Sequence, residues 1–566
     1  MIFAHIDNFI KYGRKLSSYS FPKEKGTIGR YLGGFDSMEQ PQSNDQAQGA
    51  PKTGTMKRTL NLTSLLVNAM ALIAPGAFLW TTFQIQAAQT NGGVTTAGEM
   101  WTGLVAALIL AFLTAISYAE LANIYPRAGS GSSYYYAEAA FLEKEKAGHR
   151  KWARIAKFLV GWISHLYYWI YPGIMVAFSA ILIVYIFGLF GIALAVWQQI
   201  VVAILFAVLN GYIAYRGISG STMTAIIINA IQLAALIAFA ILAILYRHAH
   251  PDLAYVQTAS SIMIPHNFTN LLFQSTIAIL LLVGFESVTS LGSEALRPKQ
   301  DIKRAILLSL IIQGIFAYLF EYFAAIYFVG PQMTGTDATG AAVSGWGAAA
   351  VSGAPIGDMV RIIGDSMFGG GTGFILVIIF AATVVLALIG TTLACLNTGV
   401  RITYAMGKEK EMPTLLGILH GRYDTPHYGI WILVAVSAAL GAYGVVNVDN
   451  LTQITLASNT GTFLLYGLTN LIALWAFFGR PNSSLLKHRV VPLLGFLANF
   501  LMFGAIIWLG ISAGGNSASD AVIALVMVAV WLVAGSAWFI HNSKKLSRPV
   551  LATNVPQANG LDNDDA

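Results

Sequence analysis

Two short stretches place reactive groups where an apolar helix should run undisturbed. In "LLLVGFESVT", 280–289, Gly284 and the carboxylate of Glu286 fall within three residues of each other, beside Phe285 and Ser287; in "LIAPGAFLW", 72–80, Pro75 and Gly76 interrupt an equally apolar run. Proline lacks an amide proton and crowds the preceding turn, and glycine tolerates conformations other residues avoid, so both stretches are predicted to open their helices. An opened helix in lipid leaves backbone N–H and C=O groups unsatisfied unless they face a cavity or a ligand. Amides at the start of a half-helix suit a carboxylate, and carbonyls at the end of one suit an ammonium or a metal cation. A zwitterionic amino acid answers both sets. The structural alternative is a packing glycine and a kink proline, both at home in membrane helices. Glu286 itself can neutralise a substrate amine, titrate, or hold two half-helices together by accepting backbone hydrogen bonds.

Glu321, in "YLFEYFAAIYF", is the least expected residue of the chain. An acid at membrane depth costs about 3 kcal/mol or more unless it is paired, neutral or near water. It is a candidate for the coupling proton or for a cationic group of the substrate, against a structural hydrogen bond to a neighbouring helix. His165, in "GWISHLYYWIYPG", titrates near neutral pH when unperturbed; the competing reading is a histidine donating to a carbonyl. The one cysteine, Cys395, lies in an apolar run with no partner for an intrachain disulfide.

These residues need a membrane to position them. The chain has 566 residues, 56% hydrophobic and 10% charged, far from a soluble balance. Runs of roughly 20 apolar residues, enough to cross about 30 Å of hydrocarbon, are predicted at 60–88, 98–123, 155–188, 197–215, 219–246, 270–294, 302–329, 370–402, 427–446, 451–478, 490–513 and 520–541. Residues 1–58 form a polar segment with nine Lys and Arg and no cleavable leader pattern, and 546–566 a polar tail. If the N-terminus is cytoplasmic, the inside loops from Arg127 to Arg489 collect nineteen Lys and Arg, whereas the outside loops hold Arg247 and Arg361. That asymmetry predicts both termini in the cytoplasm of a multi-pass protein of the plasma (inner) membrane. The net charge of +7 is thus a topology signal and not a nucleic-acid footprint. "MIFAHIDNFIKYGRK" puts Ile2, Phe3, Ile6, Phe9 and Ile10 at helical spacing beside three cations, a pattern suited either to the anionic inner leaflet or to a flexible tail.

The two interruptions are about 210 residues apart, as are the starts of their helices. Five helices per half is an odd number, so the second half must enter from the opposite side. The predicted fold is therefore an all-α polytopic membrane protein of about 12 spans, a five-plus-five inverted repeat (about 60–246 and 270–478) followed by two C-terminal helices, with the transporter domain at 59–545.

Three stretches resemble the amino acid-polyamine-organocation permeases: "YAELANIYPRAGSGSSYYYAEAAF" at 118–141, "GFESVTSLGSEALRPKQDIKRAI" at 284–306 and "NTGVRITYAMGKEKEMP" at 397–413. The resemblance covers roughly 60–545 and implies the LeuT-type fold, alternating access and a small amine-bearing solute. It aligns the family's Gly-Ser-Gly-like signature with Ala74, Pro75 and Gly76. The proline removes one donor from that cradle, leaving the amides of Gly76, Ala77 and Phe78. It further implies that carbonyls just before the second break accept the substrate amine, that Phe285 covers the cavity, and that Thr391 and Thr392 occupy the region where sodium-coupled relatives place hydroxyl ligands. The competing role for those threonines is bonding to their own helix. Helix five lacks the lysine that replaces sodium in some proton-coupled relatives, so sodium stays open, although a proton or exchange is preferred.

Arg127, Arg297, Lys299, Arg304 and Arg401 are predicted at helix ends, where they can pair with Glu120, Glu294 or Asp301 in an inside gate or simply anchor the helices. "PIGDMVRIIGDSMFG", within 330–369, reads as a short amphipathic helix over the outer vestibule. No zinc-binding pair, phosphate-cradling loop, nucleophile elbow or paired catalytic carboxylates stand out, so neither an enzyme nor a cofactor or metal requirement is expected. The leading expectation is a secondary transporter of amino acids or related amines. The alternatives are a permease for another small organic ion and a non-transporting nutrient sensor of the same fold.

Overall fold

The computed structural model describes residues 59–73, 75–126, 132–145, 151–217, 222–292, 294–481 and 483–545. In chain order the helices are α1 (Leu62–Ile73), α2 (Pro75–Ala88), α3 (Met100–Ile124), α4 (Ser133–Leu142), α5 (Lys151–Leu189), α6 (Val196–Tyr215), α7 (Thr222–Ala249), α8 (Ala259–Met263) and α9 (Phe268–Ala278). They continue with α10 (Pro298–Ser309), α11 (Phe320–Phe328), α12 (Trp346–Val351), α13 (Pro355–Phe368), α14 (Thr372–Lys408), α15 (His427–Gly444), α16 (Val448–Phe477), α17 (Val491–Ser512) and α18 (Gly515–Lys545). Two short hairpins, Thr90–Asn91 with Val94–Thr95 and Thr334–Thr336 with Ala342–Ser344, close surface turns.

Among the described residues eleven segments are long and apolar enough to cross a membrane. The first expected span supplies α1 and α2, which flank Ala74. The polarity is that of a protein in lipid. Large apolar side chains such as Ile231, Ile241, Ile379, Leu497 and Val533 face outward, whereas Thr391, Asn459, Gln313 and Glu286 are buried. Asn267 and Asn447 start α9 and α16 by accepting from the amides of Asn270 and Asn450, the usual way of satisfying a first-turn donor.

Three expected spans differ in ways that matter. The sixth was expected over 270–294 with an opening at Gly284, but with ordinary helix on both sides of it. Instead α9 stops at Ala278, a tight turn covers Ile279–Leu281, and after Gly284 the chain continues as a 3₁₀ helix, Phe285–Leu291. Thr289 and Ser290 donate to the carbonyls of Glu286 and Ser287, three residues back. Such local bonds compete with an α-helical ladder. The seventh span is helical throughout, but between α10 and α11 it widens to i→i+5 turns at Leu310–Leu319. Turns of that kind shift the helix register and recur at functional sites. The eighth, expected to end at 402, runs to Lys408.

At the end of the bundle that carries Thr59, the start of the first span is tied to the end of the sixth. Thr59 N and Leu60 N donate to Glu294 O at 2.9 and 3.0 Å, and Leu296 N donates to Leu60 O at 2.9 Å. Arg401 pairs with Glu294, and Arg297 with Asp301 one turn along its own helix. Glu120 is held by Lys303 at 2.7 Å and lies 3.4 Å from His488, neither of which was among the expected partners. Arg127 lies outside the described residues. At the opposite end α12 and α13 lie over α2. A Cβ added at Gly357 would come within 2.8 Å of Trp80, so α13 seats its apolar face closely, as its amphipathic pattern predicts.

Candidate solute site at the two helix breaks

The first span is described as α1 up to Ile73 and as α2 from Pro75; Pro75 has no N–H to offer the carbonyl of Ala71, four residues back. Ala74 lies outside the described residues; Pro75, Gly76, Ala77 and Phe78 form the first turn of α2. Three carbonyls in the last turn of α1 accept side-chain hydrogen bonds. Met70 O accepts from Gln313 Nε2 at 2.8 Å, Ala71 O from Thr391 Oγ1 at 2.9 Å and Ile73 O from the Tyr318 hydroxyl at 2.9 Å. Side chains of the seventh and eighth spans bind them, because an unpaired buried carbonyl is costly. Gly76 is buried with the side chain of Gln232 beside it, and Gln232 Oε1 has no partner within the protein.

At the second break Gly284 has φ +118°, a backbone region open to glycine and strained for other residues. A Cβ there would lie 2.4 Å from Leu72 Cδ2 and 2.8 Å from Leu72 Cβ. The two interrupted segments thus touch, and glycine permits the approach. Glu286 folds back over the break. Oε2 accepts from Gly284 N at 3.0 Å and from the Tyr466 hydroxyl at 2.7 Å, while Oε1 accepts from the Tyr168 hydroxyl at 3.0 Å. Three donors, none of them cationic, hold a fully buried carboxyl group and link the break to α5 and α16. Phe285 is buried edge-on to Tyr118, with ring centroids 6.1 Å apart, and against Tyr466 at 5.4 Å. Ser287 is buried beside them.

Glu321 opens α11 immediately after the widened turns. It is 1% exposed, and neither carboxylate oxygen has a hydrogen-bond partner among the described residues. The neighbouring Tyr318 and Tyr322 reach the first span, through Ile73 O and Gln86 Oε1. The expected structural bond from Glu321 to a neighbouring helix is not made. His165, in contrast, has both ring nitrogens engaged, Nδ1 with Gly161 O at 2.6 Å and Nε2 with Thr403 Oγ1 at 3.1 Å. It packs against Trp162, Trp169 and Trp531, which favours the structural reading. Thr391 contacts both Ala71 O and its own Ala387 O; Thr392 bonds only its own helix, at Leu388 O. Of the pair, Thr391 alone meets the first break.

Tyr168, Tyr466, Gln313, Tyr318 and Gln232 were not singled out from sequence. The signals were present in the tyrosine-rich "SHLYYWIYPG" and the polar run "TLASNTGTF" within otherwise apolar spans. A direct check of the clamp is Tyr466→Phe. Removing one donor from buried Glu286 should cost about 1–3 kcal/mol and lower the melting temperature of the purified protein; an unchanged melting curve would show that the hydroxyl supports nothing.

Comparison with known proteins bears on what these breaks are for. A sequence profile described as amino acid permease matches residues 58–534. The chain belongs to the amino acid permease family. The match includes both breaks and Glu321. The permease is similar to the low-affinity putrescine importer PlaP of Escherichia coli K12, at 24% identity over 84% of this chain and 93% of the importer. It is similar to the branched-chain amino acid permease BcaP of Lactococcus lactis, at 25% identity over 72% of this chain and 81% of that one. A methylthioribose transporter of Bacillus subtilis is 20% identical over 79% and 88% of the two chains. The permease is an integral multi-pass membrane protein and not an enzyme.

Proposed function

We propose that the permease is a secondary active transporter that moves amino acids or related amines by alternating access, driven by protons or by exchange. The observation that carries this reading is the close approach of the first span at Leu72 to the break at Gly284, with one clamped carboxyl group at the contact and, on the adjoining span, one carboxyl group without a hydrogen-bond partner among the described residues. The relatives named for putrescine and for branched-chain amino acids support an amine-bearing solute. The solute lies between the first turn of α2, with the amides of Gly76, Ala77 and Phe78 toward its negative end, and the segment Gly284–Ser287. Glu321 receives either the coupling proton or a second cationic group of the solute. Phe285 forms part of the cover, and Thr391 bridges the first break without requiring sodium.

The basic end of the bundle faces the cytoplasm of the plasma (inner) membrane, so the bonds of Thr59, Leu60 and Leu296 and the Arg401–Glu294 pair form a closed inner gate. The five-plus-five repeat supplies the two opposed breaks. Thermal-shift screening of amino acids and polyamines on purified permease, with and without sodium, should find a stabilising amine, because a ligand that prefers the folded state raises its melting temperature. That amine should then enter proteoliposomes saturably. Binding without flux would identify a sensor instead.

A further inference from the structure

Away from the breaks, at the end of the bundle that carries Thr59, one ammonium is buried among three carboxyl groups. Lys157, at the start of α5, is 1% exposed and contacts Glu138 of α4 and Glu409, which follows α14. Its ammonium also lies 4.7 Å from the ring centre of Tyr134 and 5.1 Å from that of Tyr135. Glu411 is the third acid. It is wholly buried, and among the described residues neither of its oxygens receives a well-formed hydrogen bond; the Tyr134 hydroxyl is the donor beside it. The Tyr134 hydroxyl donates to Glu409 Oε2 at 3.0 Å and also neighbours the Glu411 carboxyl, so its single proton serves two acids. Glu411 cannot turn away. Its amide is bound to Met406 O, and its carbonyl accepts from Trp538 Nε1 of α18 at 2.7 Å.

The charge count decides what Glu411 needs. One ammonium meets two carboxylates already, and a third buried carboxylate that shares a single hydroxyl donor with one of them is disfavoured by desolvation and by its like-charged neighbours. We propose that Glu411 is a proton-binding site, separate from the helix breaks, and that it holds its proton when this end of the permease is packed as seen here. The protonated group has a ready acceptor in the Tyr134 hydroxyl oxygen. Burial holds the Glu411 carboxyl well above the usual carboxylate range, against the pull of Lys157 and the Tyr134 hydroxyl, with smaller help from repulsion by Glu409 and Glu138. Glu409, with a quarter of its side chain exposed, gives water a path to the cluster. The groups facing Glu411 from every packed element are Lys157 of α5, Glu138, Tyr134 and Tyr135 of α4, and Glu409 of its own segment.

α4 joins this cluster to the second break. Its first residues reach inward: Ser132 contacts the Thr289 hydroxyl, and Ser133 donates to the Tyr118 hydroxyl at 2.7 Å. The Glu411 proton thereby steadies the strut behind Thr289.

The sign of the pH effect follows from proton counting. The native state retains a proton that the unfolded chain releases near the ordinary glutamate pKa. Stability from this group is therefore complete at pH below that value and declines as pH rises toward and through the raised native one. The test is infrared difference spectroscopy of the full-length permease in lipid, wild type minus Glu411→Gln, between pH 6 and 8. The expected result is a carbonyl band of a protonated carboxylic acid, present in the wild type and absent from the variant, with a fall in wild-type melting temperature toward alkaline pH that the variant lacks. A difference spectrum containing only ionised carboxylate bands overturns the proposal. So does a melting temperature that responds to sodium or potassium through Glu411 and not to pH, which would make the occupant a metal cation. If Glu411→Gln does not fold, Glu409→Gln serves. Removing one like charge should lower the pH at which the same band disappears, and an unmoved or absent band would refute the site. None of these readouts depends on transport.

Discussion

Replacing Gly284 with alanine is expected to cause the largest loss of any single methyl addition near the breaks. The new Cβ would meet Leu72 at 2.4 and 2.8 Å, in a backbone conformation with φ +118°. A strained backbone costs on the order of 1–3 kcal/mol, and overpacking costs about as much again. Relaxing the clash means separating the two interrupted segments or rotating the turn, and either change moves Gly284 N off Glu286. Uptake should fall below detection while the folded protein persists at a lower melting temperature. A control at Gly370, where an added Cβ meets nothing within 4 Å, should leave both nearly unchanged. Wild-type uptake by the Gly284→Ala protein would mean that the contact between the breaks has no part in transport.

The second large effect is expected at Glu321. Both oxygens are buried and unpartnered, so glutamine fits the space and removes only the ability to carry charge or a proton. If a cationic group of the solute binds there, Glu321→Gln should raise the half-saturating concentration by on the order of 30-fold, since losing one partner of a buried charge pair costs about 2 kcal/mol or more. If the coupling proton binds there, accumulation driven by a pH gradient should disappear while solute exchange survives. The two outcomes are separated by measuring concentration dependence and gradient-driven accumulation on the same proteoliposomes. Unaltered transport with an unaltered pH profile would remove Glu321 from the mechanism.

Legibility in the sequence followed the range of the interactions. Both breaks announce themselves locally, through Pro75–Gly76 and through Gly284 beside Glu286, because a helix that contains such residues must answer for its own backbone. The partners of the breaks do not. Tyr168 and Tyr466 approach Glu286 from 118 and 180 residues away, and no spacing in either helix marks a tyrosine that meets a distant carboxyl group. The claim of Gln313, Thr391 and Tyr318 on the α1 carbonyls is likewise tertiary, so the first break looked emptier from sequence than it is. Thr289 and Ser290 illustrate a different loss. Their backbone bonds are local, but in an apolar run they read as ordinary helix residues, and the 3₁₀ geometry after Gly284 was missed. Lys157 was hidden in another way: a cation near the basic end of a membrane helix is explained well enough by anchoring, which obscured its burial among three glutamates.

The central claim is that one solute occupies the junction of the two breaks. Its most direct test is a cryo-EM map of the wild-type permease prepared with the amine that most raises its melting temperature. The account predicts density for that amine between Gly76 and the Gly284–Ser287 segment, with the first and sixth spans both interrupted. A map in which the amine lies elsewhere, or in which either span winds continuously through that depth, would contradict it.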